Sequence, residues 1–158
     1  MGRLYGDRPF AQIDSTYRTI PTREGRAIGG LSMGGFGALS LAFTHPDIYG
    51  VVGAHSPSLR TQGESSYDLG SPPDYALIDP MALARELNPA TAPKIWIDLG
   101  VEDEWATRTS TLKDDLRAVG IRPDYSESDG GHDADYWRQN AERYLRFYTG
   151  ALVPTRGN

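Results

Sequence analysis

The sequence lacks cysteine and any run of basic residues, and each absence excludes a class of function. Without cysteine among its 158 residues, the chain has no disulfide, no thiolate metal site and no cysteine nucleophile, although the compartment stays open. Its 16 Lys and Arg stand against 21 Asp and Glu, for a net charge of −5. A nucleic-acid partner is therefore not expected.

Long apolar runs are also absent. No stretch approaches the ~20 apolar residues that cross a membrane, so we expect no membrane partner. The first ten residues carry Arg3, Asp7 and Arg8 and no apolar segment of signal-peptide length. The chain as given is expected to stay where it is made, which favours the cytoplasm.

The composition that remains is typical of one globular domain. Hydrophobic residues make up 39% of the chain, and a chain of this length can bury a genuine core. We therefore predict a single domain over residues 1–158.

The most informative stretch is the glycine-rich segment 26–43, RAIGGLSMGGFGALSLAF. It contains the pattern G-x-S-x-G at residues 30–34. In this pattern a serine stands on a sharp turn between a strand and a helix, with its hydroxyl pushed outward. Ser32 is therefore the candidate nucleophile.

The residues around this pattern decide between two interpretations. In the simpler one, Ser32 only caps the N-terminus of a helix. However, residues 27–28 suit a short buried strand, and residues 36–43 form an almost wholly apolar run that suits a buried helix. A strand before the serine and a helix after it are what the nucleophile turn requires, so the context favours it.

The rest of the chain alternates between strand and helix patterns. Further helices are predicted within residues 4–20 and over 81–87, 112–119 and 137–152, and further strands over 49–54, 94–99 and 122–127. This alternation predicts an α/β fold with a mostly parallel sheet flanked by helices, its last and most polar strand near an edge. Residues 56–92 are a candidate for a small cap over the site.

Two of these helices show an apolar face. The spacing predicts that the first helix docks through Phe10, Ile13 and Tyr17. The stripe predicted for the last helix consists of Trp137, Ala141, Tyr144, Tyr148 and Leu152.

A serine nucleophile needs a base, and the chain has three histidines. His132 follows two glycines between the last predicted strand and helix, so it can reach back over the sheet edge and is the preferred base. His55 follows the second strand and is a minor candidate. His45 precedes Pro46 at the end of the helix after Ser32, where a capping or surface role is expected.

The acid that orients the histidine should lie between Ser32 and His132, because hydrolases with this turn run in the order Ser, acid, His. Four carboxylates cluster after the third strand: Asp98, Glu102, Asp103 and Glu104. Composition alone does not choose among them, and three of the four are expected to be solvated surface charges.

Three segments, GLSMGGFGALSLAFTHPDIYG, IDLGVEDEW and GGHDADYWRQNAERYLRFY, closely resemble the putative-esterase family of α/β hydrolases. This family includes S-formylglutathione hydrolases, feruloyl and acetylxylan esterases, enterochelin esterases and mycolyltransferases. The resemblance runs from near Ile13 almost to the C-terminus and weakens over residues 58–78.

This resemblance implies a role for each candidate residue. The nucleophile falls on Ser32, the histidine on His132, and the acid, found in a G-x-x-D turn, on Asp103. Met33 would contribute its backbone N–H to the oxyanion hole.

The sequence departs from the family before the serine. Members usually carry early strands and a loop with the second oxyanion donor, whereas only 31 residues precede Ser32, too few for several strands and their crossovers. The resemblance therefore implies a truncated α/β-hydrolase fold that lacks the usual N-terminal strands. We expect the first strand to be an exposed edge, copies of the chain to associate over it, and a second donor from residues 55–60 or another subunit.

The leading expectation is a serine carboxylesterase that hydrolyses small or short-chain esters through an acyl-enzyme on Ser32, without a cofactor. Acyl transfer to alcohols and thioester hydrolysis stay open. The alternative is a weak or inactive hydrolase-derived binding or assembly module. A metal site built from Asp129, His132, Asp133 and Asp135 fits no strong ligand spacing, so no metal is expected.

Overall fold

The computed structural model describes residues 8–61 and 71–152, which are organised around a four-stranded sheet. Strands β1 (Ala27–Leu31), β2 (Val51–His55), β3 (Lys94–Gly100) and β4 (Asp124–Ser128) lie side by side in chain order. All three neighbouring pairs are parallel. The predicted α/β fold with a mostly parallel sheet is confirmed, and the polar β4 does lie at an edge.

Helices connect the strands, because parallel neighbours need a crossover. The helices are α1 (Arg8–Thr16), α2 (Met33–Thr44), α3 (Pro72–Ala76), α4 (Pro80–Glu86), α5 (Ala106–Ala118) and α6 (Ala134–Ala151). Each predicted helix is present, although α2, α5 and α6 begin several residues earlier than their apolar patterns. Within the described part of the chain, none of these helices is both long and apolar enough to span a membrane.

One face of the sheet forms the main apolar core. Val52 and Ala54 of β2 and Ile95 and Ile97 of β3 pack there with helices α2, α4 and α5. Helix α2 is apolar on most of its surface because it is buried between the sheet and α4. The core therefore holds the C-terminal end of β1 and the start of α2 in a fixed relation.

Helix α6 covers the opposite face of β2. A Cβ on Gly53 would lie 2.1 Å from the Tyr148 hydroxyl oxygen, so glycine is what allows this close approach. The imidazole of His55 stacks on the Tyr144 ring at 3.7 Å between centroids. Tyrosine and histidine therefore fill this layer in place of aliphatic side chains.

The stripe predicted for α6 is partly wrong. Tyr144 is buried as predicted, but Ala141 is exposed, and Tyr136 and Asn140 are buried instead. Both have partners inside, since the Tyr136 hydroxyl donates to Asp98 and the Asn140 amide donates to the Tyr136 carbonyl. Apolar periodicity does not detect buried polar side chains whose hydrogen bonds are satisfied, here by Asp98 of the sheet and by the helix itself.

Helix α1 is present, but its predicted docking face is wrong. Only Phe10 docks, with its ring edge-on to Tyr49 at 6.0 Å and the Arg26 guanidinium 5.0 Å from its centroid. Ile13 and Tyr17 are 49% and 64% exposed. Asp14 of α1 pairs with Arg26 at 2.6 Å, a contact that the spacing of apolar residues does not reveal.

The β1 edge of the sheet is open. Among the described residues, β1 pairs with β2 alone, and Leu31 is 41% exposed. A groove of about 450 Å³ runs along this strand beside the end of α6, lined in part by Gly29, Gly30 and Tyr148.

The predicted cap at residues 56–92 stays a prediction. Residues 62–70 lie outside the described residues. Helix α4 contributes Ala84 to the core beside α2, where the Asp79 carboxylate caps it by accepting from the Met81 N–H at 3.0 Å.

Candidate active site

Ser32 occupies the sharp turn between β1 and α2. Its backbone angles, φ 53° and ψ −119°, are strained for a residue with a Cβ. Both of its backbone polar groups form hydrogen bonds with the residues around the turn. Its N–H donates to the His55 carbonyl oxygen at 3.0 Å, and its carbonyl oxygen accepts from the Ser58 N–H at 3.1 Å. The ends of β1 and β2 therefore fix the serine in place.

The Ser32 hydroxyl points to a histidine and does not cap α2. Among the described residues, its side chain makes no capping hydrogen bond. Instead Oγ lies 2.8 Å from Nε2 of His132. The interpretation of this serine as a simple helix cap does not agree with that geometry.

Two close contacts between the backbones of neighbouring loops bring His132 back over the sheet. The Gly130 carbonyl oxygen accepts from the Glu102 N–H at 3.0 Å. A Cβ on Gly100 would lie 2.1 Å from that same carbonyl oxygen, so the absence of a side chain lets the two loops touch. As a result His132 Nδ1 lies 3.0 Å from Asp103 Oδ2.

The buried carboxylate of Asp103 determines which nitrogen of His132 carries the proton. Its Oδ1 accepts from the Trp105 N–H at 2.9 Å. Because an ionised carboxylate only accepts, His132 Nδ1 donates to it, and Nε2 is left to accept from the Ser32 hydroxyl. The His132 side chain is 20% exposed and that of Asp103 0%, so the histidine is accessible while the acid is shielded from water.

The four candidate carboxylates fall into two pairs. Glu102 and Glu104 are exposed, as expected. Asp103 contacts His132, and Asp98 is fully buried under α6. The expectation of three surface charges is therefore wrong for Asp98, because its place in a buried strand turns it away from solvent.

His55, the minor candidate for the base, is engaged elsewhere. Its Nδ1 lies 2.5 Å from Asp98 Oδ1, and its Nε2 lies 2.9 Å from the Tyr148 hydroxyl. Both ring nitrogens have partners, so neither is left for Ser32. His45, by contrast, caps the C-terminus of α2 as predicted, with its N–H on the Leu41 carbonyl.

Asp98 is the centre of a buried network that the sequence did not suggest. Its Oδ2 accepts from the hydroxyls of Tyr136 at 2.9 Å and Tyr144 at 3.1 Å. Burial, together with the Asp98 charge, raises the pKa of Tyr148 to about 12 and raises the pKa values of Tyr136 and Tyr144 as well. All three therefore stay protonated. In the sequence, the feature that indicates this network is a set of tyrosines on one side of the last helix.

Candidate donors for an oxyanion are few. Met33 is the first residue of α2, so its N–H has no acceptor within the helix; its role stays a prediction. The loop after β2 offers no further backbone N–H between residues 56 and 60, because each of these groups already has an acceptor. Ser56 donates to Asp98, Ser58 to Ser32, Leu59 to Pro57 and Arg60 to Ser58. A donor from this loop would have to be a side chain.

Two residues next to His132 have structural roles. The Asp133 carboxylate caps α6 by accepting from the N–H groups of Asp135 and Tyr136. The Trp137 ring stands at 83° to the imidazole of His132, 5.3 Å away. Within residues 8–61 and 71–152, no three acidic or histidine side chains are grouped to hold a metal ion.

Comparisons of the sequence with a family model and with a known protein agree with each other. The sequence model of the family described as "Putative esterase" matches residues 10–148. An acetyl esterase of Caldicellulosiruptor saccharolyticus is 26% identical over 87% of this chain. The match covers 59% of that relative, so the chain spans about three fifths of its length.

Solved structures show the same partial correspondence. A ferulic acid esterase superposes with a TM-score of 0.74 at 26% identity and covers 92% of this chain and 59% of its own. An S-formylglutathione hydrolase from Staphylococcus aureus gives 0.72 at 22% identity, with 88% and 57% covered. At that identity the second supports the fold alone. The four-stranded sheet with its helices thus corresponds to part of the α/β-hydrolase fold.

Proposed function

The chain belongs to the putative-esterase family, and we propose that it is a serine carboxylesterase whose catalytic residues are Ser32, His132 and Asp103. One observation carries the proposal. The Ser32 hydroxyl, the His132 imidazole and the Asp103 carboxylate form one unbroken hydrogen-bonded line, with contacts of 2.8 and 3.0 Å. They come from three separate loops at the same end of the sheet.

The geometry suits acyl transfer in two steps. His132 Nε2 takes the hydroxyl proton as Ser32 Oγ bonds to the ester carbonyl carbon, and then returns it to the departing alkoxide. Water, deprotonated by the same nitrogen, attacks the acyl-enzyme carbonyl. The bond to Ser32 Oγ then breaks, His132 Nε2 gives the proton to that oxygen, and the acid is released. Asp103 holds the tautomer and stabilises the imidazolium. The Met33 N–H supports the oxyanion in both steps.

Small or short-chain esters are the proposed substrates. Ser32 and His132 are both partly exposed, so a carbonyl group can reach them without passing through a deep channel. The names of two relatives, acetyl esterase and ferulic acid esterase, agree with carboxylic esters as the class. An alcohol in place of water would turn the same acyl-enzyme into an acyl-transfer catalyst, and a thioester would enter by the same attack.

The open edge supports a second proposal. β1 has one strand neighbour among the described residues and an exposed Leu31, and exposed edges of this kind pair readily with other chains. We propose that copies of the chain associate along β1. If the serine proves inert, this edge favours the alternative of a binding or assembly module.

The test of the esterase proposal measures hydrolysis of p-nitrophenyl acetate and butyrate and labelling by a fluorophosphonate, which reacts with activated serines. Ser32→Ala should lose both activities and keep the wild-type unfolding curve. Ser15→Ala is the matched control, because Ser15 is exposed on α1 and its hydroxyl donates to the Gln12 carbonyl. Turnover retained in Ser32→Ala would refute the assignment, and a folded but inert wild type would favour the binding module.

A further inference from the structure

The buried carboxylate of Asp98 connects the sheet to the helix that follows His132. Oδ1 contacts His55 at the end of β2, and Oδ2 accepts from Tyr136 and Tyr144 of α6. Its backbone carbonyl also accepts from the Ser56 N–H at 2.7 Å. A single residue of β3 therefore binds the end of β2 and two turns of α6.

The first of these tyrosines also contacts the loop that carries the histidine. Tyr136 lies four residues after His132, in the first turn of α6. Its ring packs under Gly130, where a Cβ would lie 2.9 Å from the ring carbon Cδ2. Gly130 has φ +127°, a conformation that favours glycine. The Tyr136 ring therefore packs directly against the loop before His132.

We infer that Asp98 and Tyr136 are positioning residues, which hold His132 at hydrogen-bonding distance from both Ser32 and Asp103. This inference rests on the proposed function, since it concerns the alignment of the same three side chains. Neither residue contacts the Ser32 hydroxyl. Each acts through the loop between β4 and α6, which contains Gly130 and His132. An imidazole displaced by about 1 Å can cost ~10²-fold in rate, so a hydrogen bond remote from the reacting atoms affects turnover.

Tyr136 and Tyr144 form a matched pair that separates positioning from simple stability. Both hydroxyls donate to the same Asp98 oxygen, at 2.9 and 3.1 Å, and both rings are buried. Tyr136→Phe and Tyr144→Phe therefore each remove one donor to Asp98, and Tyr136→Phe also removes the acceptor of the Ser128 hydroxyl at 3.5 Å. They differ in distance along the chain from His132, which is four residues in one case and twelve in the other.

The experiment compares these two variants with wild type and with Tyr125→Phe. The Tyr125 hydroxyl contacts Glu127 on the outer strand β4, away from α6, which makes it the control for loss of a tyrosine hydroxyl. We measure thermal unfolding, kcat and KM for p-nitrophenyl acetate, and the downfield proton resonance of His132 Nδ1–H in its bond to Asp103. The resonance reports alignment whether or not the protein turns over ester.

If Tyr136 positions His132, Tyr136→Phe should lower kcat by about tenfold and leave KM within about twofold of wild type. It should also broaden or remove the His132 resonance. Tyr144→Phe should lose comparable stability but keep the resonance and most of kcat. Equal kcat in the two variants, or an unchanged resonance in Tyr136→Phe, would overturn the inference. If wild type is inert, the proposed function fails, and the resonance alone decides whether Tyr136 positions His132.

Discussion

A Cβ placed on Gly30 would lie 2.4 Å from the carbonyl carbon of Gly34, so the two glycines of the turn are in backbone contact. The contact brings the end of β1 against the first turn of α2. Ser32 lies between them in its strained conformation. The two glycines are not equivalent, because a Cβ on Gly34 would meet nothing within 4 Å.

This difference predicts opposite outcomes for two alanine substitutions. Gly30→Ala forces a methyl group into backbone that cannot yield, and we expect the free energy of unfolding to fall by ~1–3 kcal/mol, with loss of fluorophosphonate labelling. Gly34→Ala should raise the free energy of unfolding by no more than ~1 kcal/mol, since alanine is the better helix former. Chemical denaturation of both variants measures this, and equal stability would contradict it.

Asp103→Asn should abolish most turnover without unfolding the protein. An amide NH₂ facing Nδ1 would place the imidazole proton on Nε2, where it cannot accept from Ser32. By analogy with other serine triads we expect kcat to fall on the order of 10⁴-fold.

Glu104→Gln is the control for Asp103→Asn, because Glu104 is an exposed carboxylate next in sequence. It should keep wild-type kcat and KM for p-nitrophenyl acetate. Similar losses in the two variants would show that net charge, and not the contact with His132, is responsible.

The tyrosines above the sheet should make the protein sensitive to alkali. Burial raises the pKa of Tyr148 to about 12, above the ~10 of an unfolded chain. The stabilising contribution is complete below pH ~10 and is lost as pH rises toward ~12, because only the unfolded chain releases the proton in that interval. Unfolding free energies at about pH 9 and about pH 11, with tyrosinate absorbance, measure the effect. Early ionisation of every tyrosine in folded protein would contradict it.

Self-association along β1 should be sensitive to charge at Leu31. We expect wild type to form dimers or larger species at micromolar concentration, and Leu31→Glu to shift them toward monomer by placing a charge at the edge. Leu145→Glu is the matched control, because Leu145 is 66% exposed on α6 and lies in no sheet edge. Light scattering gives the answer, and a monodisperse wild-type monomer would exclude the proposal.

Several features of the site follow from short stretches of sequence. The turn at Ser32, the order of serine, acid and histidine, and the helix after each strand depend on contacts between near neighbours. Such contacts leave local patterns, so the elements and the placement of Ser32 and His132 at one end of the sheet could be predicted. The G-x-x-D likeness selected Asp103 by resemblance, since composition alone left four carboxylates equivalent.

Other features depend on which distant segments meet. Asp98 and Asp103 are five residues apart, yet one contacts tyrosines of α6 and the other contacts His132. Their partners differ because Asp98 lies within β3 under α6, whereas Asp103 lies in the turn after β3. The same docking takes His55 away from Ser32.

The sequence by itself therefore determined the chemical groups and the strand-turn-helix that presents Ser32, because these are encoded within a few turns of chain. Only the tertiary structure decided which polar side chains are buried and brought the serine, the histidine and the acid into hydrogen-bonding distance. Those outcomes depend on packing between residues 29 to 100 positions apart, for which no local pattern exists.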